Sequence, residues 1–115
     1  MTVQIWHNPR CSKSRETLQL LTDQNIQADV FLYLAEKPNA KLISAVLKKL
    51  AISPRELLRT SESAYKDGNL KDKTISDSDL IKAMVAEPKL IQRPIVINGD
   101  LARLGRPPES VLEIL

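Results

Sequence analysis

The first 34 residues of the chain contain two apolar runs separated by an amphipathic stretch. Val3–Trp6 predicts a short strand, residues 12–25 predict a helix, and residues 28–34, which begin with β-branched and aromatic side chains, predict a second strand. A helix between two strands carries the chain back along the sheet, so the strands run parallel. This βαβ unit limits the chain to folds of the α/β class.

The middle of the chain has the periodicity of short helices. Residues 39–50 and residues 76–87 each place apolar side chains on one face, and Asn39 is of a type that caps helices. A Ser-Pro-Arg-Glu sequence starts another helix, which we expect over residues 53–59. Residues 61–75 are polar and contain an Asp-Gly-Asn turn, so they predict a loop.

The last part of the chain predicts a β-hairpin followed by a helix. Residues 95–97 and 101–104 form the two strands around an Asn-Gly turn, and residues 106–115 form the helix. A βαβ half followed by a hairpin and a helix is the thioredoxin arrangement. We therefore predict a single thioredoxin-like α/β domain over residues 1–115, with a helical insertion at about residues 39–87 between the two halves.

The single cysteine, Cys11, lies at the predicted turn from the first strand into the first helix. Unpaired N–H groups and the positive end of the helix dipole favour a thiolate there, and Arg10, Lys13 and Arg15 add positive charge. A free thiol with a pKa of about 8.5 is roughly 3% ionised at pH 7. Lowering that pKa by about 2 units takes roughly 2.7 kcal/mol. These polar neighbours favour an exposed nucleophile over the alternative, a small buried hydrophobe.

Composition excludes several classes of protein. One cysteine cannot form an intrachain disulfide, which suits a reducing compartment. With no leader pattern and no apolar run near 18 residues, we expect a cytoplasmic protein that does not bind membranes. The net charge of +3 is dispersed and aromatic residues make up only 3%, so nucleic acid is not an expected partner. We also expect a monomer without a metal site.

Four stretches of the sequence carry a specific resemblance. They are residues 6–15 (Trp-His-Asn-Pro-Arg-Cys-Ser-Lys-Ser-Arg), residues 57–59 (Leu-Leu-Arg), residues 93–96 (Arg-Pro-Ile-Val) and residues 105–107 (Gly-Arg-Pro). In this order and spacing, they resemble the ArsC family of glutaredoxin-dependent arsenate reductases and the related Spx-type regulators. The resemblance extends over nearly the whole chain.

The resemblance implies a reaction and a set of site residues. Cys11 corresponds to the nucleophile whose thiolate attacks arsenate during its reduction to arsenite, a step of arsenic detoxification. Arg59, Arg93 and Arg106 correspond to the three arginines that bind the oxyanion, and a guanidinium fork suits the oxygens of such an anion. Pro94 corresponds to the proline that is usually cis in thioredoxin-like folds and faces the cysteine.

Four further residues are implied as helpers of Cys11. The resemblance suggests that Ser14 donates a hydrogen bond to the thiolate, and that Asn8 binds the backbone of the turn. Arg15 is close enough in sequence to assist. For His7 two interpretations stay open: a protonated ring would favour the thiolate, and a neutral ring would fix the loop.

A chain with one thiol needs external reductants. Two-electron reduction of arsenate takes two thiols, so the resemblance implies glutathione as a co-substrate, glutaredoxin as the partner that resolves a mixed disulfide, and no bound cofactor. Thr17 stands where a phosphatase-type reductase has the arginine of its C-x5-R loop. Ser14 stands where a dithiol protein has its second cysteine.

Two alternatives to an arsenate reductase remain. The chain could be a glutathione-linked thiol-transfer protein with little arsenate activity, which turnover of arsenate against a mixed disulfide would distinguish. It could also be an Spx-like binding module that docks on RNA polymerase and uses Cys11 as a redox sensor. Recovery of polymerase from a lysate would favour that second alternative.

Overall fold

A computed structural model describes residues 2–115 of the chain. They form two compact units. The first contains the residues up to Glu36 together with Arg93–Leu115, and the second is Lys37–Gln92. In the described part of the chain, no helix is long and apolar enough to cross a membrane.

The first unit is built around a four-stranded sheet. Its elements are β1 (Val3–Trp6), α1 (Ser12–Asp23), β2 (Asp29–Phe31), α2 (Tyr33–Glu36), β3 (Ile95–Asn98), β4 (Leu101–Leu104) and a 3₁₀ helix (Pro108–Ile114). The strand order is β2-β1-β3-β4. Strand β1 runs parallel to β2 and antiparallel to β3, which pairs antiparallel with β4. This topology confirms the predicted α/β, thioredoxin-like fold.

The core of the first unit lies between the sheet and its helices. Ile5 at the centre of β1 is opposite Val30 in β2 and Val96 in β3. Ile5 and Val96 are fully buried and pack with Leu21 of α1 and Val111 of the 3₁₀ helix. Apolar side chains on one face of each element therefore hold α1 and the 3₁₀ helix to the sheet.

The chain after β2 differs from its prediction. Residues 28–34 predict one strand, but β2 is only Asp29–Phe31 and a helical turn, α2, begins at Tyr33. The Glu36 carboxylate accepts a hydrogen bond from the backbone N–H of Leu32, at 2.9 Å, which satisfies a donor at the start of this turn. The Tyr33 ring is buried and stacks on Trp6, with ring centroids 6.3 Å apart.

The second unit consists of short helices. These are α3 (Ala40–Leu50), α4 (Pro54–Leu57), α5 (Ser63–Asp67), α6 (Asp77–Ala86) and a 3₁₀ turn (Pro88–Leu90). The side chains of Asn39 and Ser53 cap α3 and α4, as predicted, and the Ser76 side chain caps α6. Helix α6 packs against α3, α4 and the 3₁₀ turn, with Leu80 and Met84 buried.

Two segments of predicted secondary structure are wrong in detail. Residues 61–75 predict a loop, but α5 forms within them, and none of its side chains is buried. The Arg55 guanidinium donates to the carbonyl oxygens of Leu70 and Asp72, at 2.8 and 2.9 Å, and so fixes the chain after α5. The predicted C-terminal helix is a 3₁₀ helix, in which N–H groups bond three residues back, as from Ser110 to Pro107.

Candidate active site

Cys11 is the N-cap residue of α1, with an extended backbone conformation of φ −96° and ψ 124°. Its backbone N–H donates to the Asn8 carbonyl oxygen at 3.0 Å, and its own carbonyl accepts from the Arg15 N–H at 3.0 Å. The predicted placement of Cys11 at a strand-to-helix turn is therefore confirmed. The exposure expected for the residue is wrong, because Cys11 is only 8% exposed.

The environment of the sulfur favours a thiolate in spite of burial. Burial is the largest effect and raises the pKa of the Cys11 thiol. The backbone N–H of Ser14, the Arg93 charge, the backbone N–H of Lys13 and the proximity of the Arg93 guanidinium lower it, and the net direction is below the ordinary value. The sulfur makes no conventional N-cap hydrogen bond, so these amides act as nearby dipoles at the start of α1.

Arg93 supplies the cation that faces the sulfur. Its Nε and Nη1 atoms are buried and have no hydrogen-bond partner among residues 2–115. Buried donors of a charged group rarely stay unsatisfied in folded proteins, since each lost hydrogen bond is unfavourable. These atoms can therefore donate to an anion bound beside Cys11. The Arg93–Pro94 peptide bond is cis, the conformation that the resemblance implies.

Arg106 is held against the backbone of Arg93. Its Nε donates to the Arg93 carbonyl oxygen at 2.9 Å, and its side chain is exposed. The preceding residue, Gly105, donates its N–H to the Pro94 carbonyl oxygen at 2.9 Å. The Arg106–Pro107 bond is also cis, which nothing in the sequence indicated. The first unit thus brings Cys11 and two of the three predicted arginines together.

Arg59 lies in the second unit, two residues after the end of α4. Its backbone N–H donates to the Leu90 carbonyl oxygen at 2.8 Å. Its guanidinium forms an ion pair with Glu62, and both side chains are about four-fifths buried. This carboxylate offsets part of the Arg59 charge, a feature that the sequence analysis missed. A role for Arg59 in oxyanion binding stays a prediction.

His7 and Ser14 form a buried pair behind the cysteine. The Ser14 hydroxyl lies 2.6 Å from His7 Nδ1 and accepts from the Asn8 N–H at 3.0 Å. Burial lowers the pKa of His7 and the Arg15 charge lowers it further, so both effects favour the neutral ring. A neutral ring can accept the Ser14 hydroxyl proton at Nδ1. This arrangement favours the interpretation in which a neutral His7 fixes the loop.

Two other helper residues act differently from their predictions. The Ser14 hydroxyl is occupied by His7 and Asn8, and the group of Ser14 that stabilises the sulfur is its backbone N–H. The Arg15 guanidinium donates to the Pro9 carbonyl oxygen at 2.9 Å, which tethers the loop. Asn8 behaves as predicted, because its Oδ1 accepts from the N–H of Arg10 at 3.1 Å within the turn.

The charges near Cys11 in sequence are not those that act on its sulfur. The Lys13 ammonium lies 3.6 Å from Glu16, and only the Lys13 backbone N–H affects the pKa of the Cys11 thiol. Neither Arg10 nor Arg15 is among the groups that shift this pKa. The expectation of a thiolate is supported, but its cation is Arg93, from the segment before β3.

Gly105 has a structural role that its sequence motif did not reveal. A Cβ atom at this position would lie 2.5 Å from Thr17 Oγ1 and 2.7 Å from Pro94 Cγ, well inside normal contact distances. Only glycine lets the chain leaving β4 pass between α1 and the Arg93–Pro94 segment.

The first unit brings together a cysteine whose thiol pKa is lowered and guanidinium groups with unsatisfied donors. Across residues 2–115, no group of three or more His, Cys, Asp or Glu side chains is close enough to hold a metal ion. A thiolate beside unsatisfied guanidinium donors can bind an oxyanion and attack its central atom. Cys11, Arg93 and Arg106 are therefore the candidate reactive residues.

Comparisons with known proteins by sequence and by structure identify the same family. A sequence profile of the ArsC family matches residues 6–114. The chain is 49% identical over 116 residues to the arsenate reductase of Haemophilus influenzae, covering 100% of both, and 52% identical to the uncharacterised Escherichia coli protein YfgD, covering 98% of this chain and 96% of YfgD. The structure of an arsenate reductase from Vibrio cholerae matches with a TM-score of 0.98 at 48% identity, covering 100% of this chain and 98% of that one. The chain therefore belongs to the ArsC family.

Proposed function

We propose that this protein reduces arsenate to arsenite with Cys11 as the nucleophile. The observation that carries the proposal is the environment of Arg93. Its Nε and Nη1 are buried without a hydrogen-bond partner in the described chain, and its charge lowers the pKa of the Cys11 thiol. Relatives named arsenate reductase, at 49% and 48% identity over the full length of this chain, support it.

The first step forms a covalent arsenic adduct. An arsenate oxygen accepts hydrogen bonds from Arg93, and Arg106 supplies further positive charge. The cations reduce the repulsion between thiolate and anion and stabilise charge on the attacked centre. A bond forms between Cys11 Sγ and arsenic, an arsenic–oxygen bond breaks, and the oxygen leaves as water after protonation. Arsenic stays pentavalent in this step.

The second step transfers two electrons to arsenic. A glutathione thiolate attacks Cys11 Sγ, the electron pair of the sulfur–arsenic bond stays on arsenic, and arsenite leaves. The product is a mixed disulfide between Cys11 and glutathione. Glutaredoxin then takes the glutathionyl group and returns Cys11 to a thiolate, and a second glutathione regenerates glutaredoxin as glutathione disulfide forms.

The scheme places requirements on the surroundings. Glutathione at reducing potential is supplied by a compartment such as the cytoplasm. No bound cofactor, nucleic acid or membrane takes part, and one chain contains every residue that the scheme uses. We therefore propose a cytoplasmic monomer.

Substitution of the nucleophile tests the proposal. Cys11→Ser removes the only thiol of the chain, so we expect no arsenite formation in the presence of arsenate, glutathione and glutaredoxin. Ser12→Ala, at the exposed neighbouring position, is the matched control and should keep wild-type turnover. Unchanged arsenite production by Cys11→Ser would rule out the mechanism.

The alternative of a thiol-transfer protein requires Cys11 but does not require an anion site. The buried, unsatisfied atoms of Arg93 favour an oxyanion substrate over a mixed disulfide alone. Turnover of arsenate against that of a glutathionylated peptide decides between them. An Spx-like binding module would show neither activity and would recover RNA polymerase from a lysate.

A further inference from the structure

Thr17 is a buried polar residue of α1 that the proposed reaction does not use. Its side chain is fully buried, and its Oγ1 donates a hydrogen bond to the Lys13 carbonyl oxygen at 2.8 Å. The α-helical pattern already supplies this carbonyl with the backbone N–H of Thr17. A buried threonine hydroxyl often finds its acceptor one turn back in this way. What distinguishes Thr17 is the peptide group to which it bonds.

The Lys13 carbonyl belongs to the peptide group that joins Lys13 to Ser14. The N–H of the same rigid group is therefore the backbone N–H of Ser14. Burial raises the pKa of the Cys11 thiol, and among the groups that lower it the Ser14 N–H has the largest single effect. A hydrogen bond accepted by a carbonyl polarises its peptide group and makes the N–H a stronger donor. The Thr17 hydroxyl and the Cys11 sulfur thus lie at opposite ends of one peptide group.

A second contact holds the Thr17 side chain in place. A Cβ atom on Gly105 would lie 2.5 Å from Thr17 Oγ1 and 3.1 Å from Thr17 Cγ2, so the side chain packs directly against the Gly105 backbone. Gly105 is held in turn by its own N–H, which donates to the Pro94 carbonyl oxygen at 2.9 Å. Close packing on this side leaves the hydroxyl little freedom to turn away from the Lys13 carbonyl.

We infer that Thr17 is a positioning residue for Cys11, acting through the peptide group between Lys13 and Ser14. Its hydroxyl orients and polarises this group so that the Ser14 N–H stabilises a negative sulfur. The packing against Gly105 keeps the hydroxyl at the carbonyl. The relevance of Thr17 to arsenate turnover rests on the proposed function, whereas its effect on the thiolate does not.

The charged and titratable groups near the sulfur reach it by other routes. Arg93, from the segment before β3, is the charged side chain that lowers the pKa of the Cys11 thiol. The His7 ring bonds to the Ser14 hydroxyl and not to the Ser14 N–H. Loss of the hydroxyl at position 17 therefore weakens the amide while these groups remain in the protein.

The pH dependence of iodoacetamide alkylation tests the inference without arsenate. Thr17→Val removes the hydroxyl but keeps the branched shape that packs against Gly105. At a pH below the alkylation midpoint, we expect the rate to fall about threefold, because the Ser14 N–H remains but loses its polarising bond. At high pH, where the thiol is fully ionised, the rate should be no lower than that of wild type, since access to the sulfur is unchanged.

Three further variants complete the test. Thr17→Ser keeps the hydroxyl and should keep the wild-type midpoint. Thr17→Ala removes the hydroxyl without adding bulk, so its midpoint should rise as in Thr17→Val. Thr22→Val is the matched control, because Thr22 Oγ1 donates to the Leu18 carbonyl oxygen at 3.1 Å on an exposed part of the same helix. Its midpoint should equal that of wild type.

Each other outcome overturns the inference. A wild-type midpoint in Thr17→Val and Thr17→Ala would leave Thr17 a structural role only, even if both variants unfold at lower urea concentration. An equal rise in Thr17→Ser would assign the effect to packing, and an equal rise in Thr22→Val would assign it to α1 as a whole. Urea unfolding identifies the folded variants, and Thr17→Ala decides if Thr17→Val does not fold. Absent arsenate turnover in wild type would contradict the proposed function alone, because the alkylation assay contains no arsenate.

Discussion

The Nε of Arg106 donates a hydrogen bond to the carbonyl oxygen of Arg93 over 2.9 Å. This contact joins the exit of β4 to the segment that precedes β3, at the cis peptide bond of Pro94. It holds the backbone of Arg93 while leaving the other guanidinium nitrogens of Arg106 available. One arginine therefore positions another, and both can face the same anion.

Arg106→Lys tests this double role. Lysine keeps the charge but lacks the planar fork, so it cannot hold the Arg93 carbonyl and face an oxyanion at once. We expect the KM for arsenate to rise about tenfold, equivalent to about 1.4 kcal/mol. Arg103→Lys on β4 is the control, since Arg103 pairs with Glu113 at 3.1 Å. A KM equal to that of wild type would contradict the assigned contact.

Removal of Arg93 should raise the pKa of the Cys11 thiol. The Arg93 charge and its proximity lower this pKa in the folded protein, and burial alone raises it. In Arg93→Gln we therefore expect the midpoint of Cys11 alkylation to move to higher pH, because alkylation follows the thiolate fraction. The rate of iodoacetamide reaction against pH measures it. Arg103→Gln serves as the control. An alkylation midpoint in Arg93→Gln equal to that of wild type would show that Arg93 does not act on the Cys11 sulfur.

Local features of the site could be predicted from the sequence because neighbouring residues determine them. Asn39, Ser53 and Ser76 cap helices through bonds to N–H groups three residues ahead, so their types and spacing suffice. Cys11 follows the same logic, since a strand followed by a helix places it at the helix start. The cis peptide bond before Pro94 could be predicted only from the family resemblance, because most X-Pro bonds are trans.

Long-range features could not be predicted in this way. The cation beside Cys11 is Arg93, far along the chain, whereas the nearby Arg15 bonds to the Pro9 carbonyl oxygen. Whether a charge faces a sulfur depends on tertiary packing, which spacing in the sequence does not encode. The ion pair of Arg59 with Glu62 is local, but one acidic residue in a polar stretch carries no distinct signal.

The Ser14 hydroxyl should matter more for stability than for the thiolate. Ser14→Ala removes the contact with His7 Nδ1 and leaves the Asn8 N–H without its acceptor. We expect the free energy of unfolding in urea to fall by about 1–3 kcal/mol. The alkylation midpoint of Cys11 should move less than in Arg93→Gln, because the Ser14 backbone N–H remains. Ser12→Ala should stay within about 0.5 kcal/mol of wild type, and a larger shift of the midpoint in Ser14→Ala would assign its hydroxyl to the sulfur.

His7 should make the protein less stable in mild acid. Burial and the Arg15 charge lower its pKa below the ordinary 6.5, so the unfolded chain binds a proton more readily than the folded one. The free energy of unfolding therefore rises with pH between the folded pKa and 6.5. The stability contributed by the neutral ring is fully present above pH 6.5 and is lost as pH falls through the folded pKa. His7 is the only histidine, so His7→Gln should reduce this slope in urea titrations at several pH values. An equal slope in both proteins would show that His7 titrates normally.

Gly105→Ala should disturb both stability and the site. The added Cβ would meet Thr17 Oγ1 at 2.5 Å and Pro94 Cγ at 2.7 Å, so α1 or the Arg93–Pro94 segment must move. Overpacking of this kind destabilises proteins by about 1–3 kcal/mol. Because Gly105 precedes Arg106 and bonds to Pro94, we also expect arsenate turnover to fall and the Cys11 alkylation midpoint to rise as Arg93 moves away.

Gly68→Ala is the matched control: its Cβ would lie 3.1 Å from the Ala64 carbonyl oxygen, so a smaller loss of stability and an unchanged alkylation midpoint are expected. Equal effects of the two substitutions on the midpoint would show that Gly105 has no special part in placing Arg93.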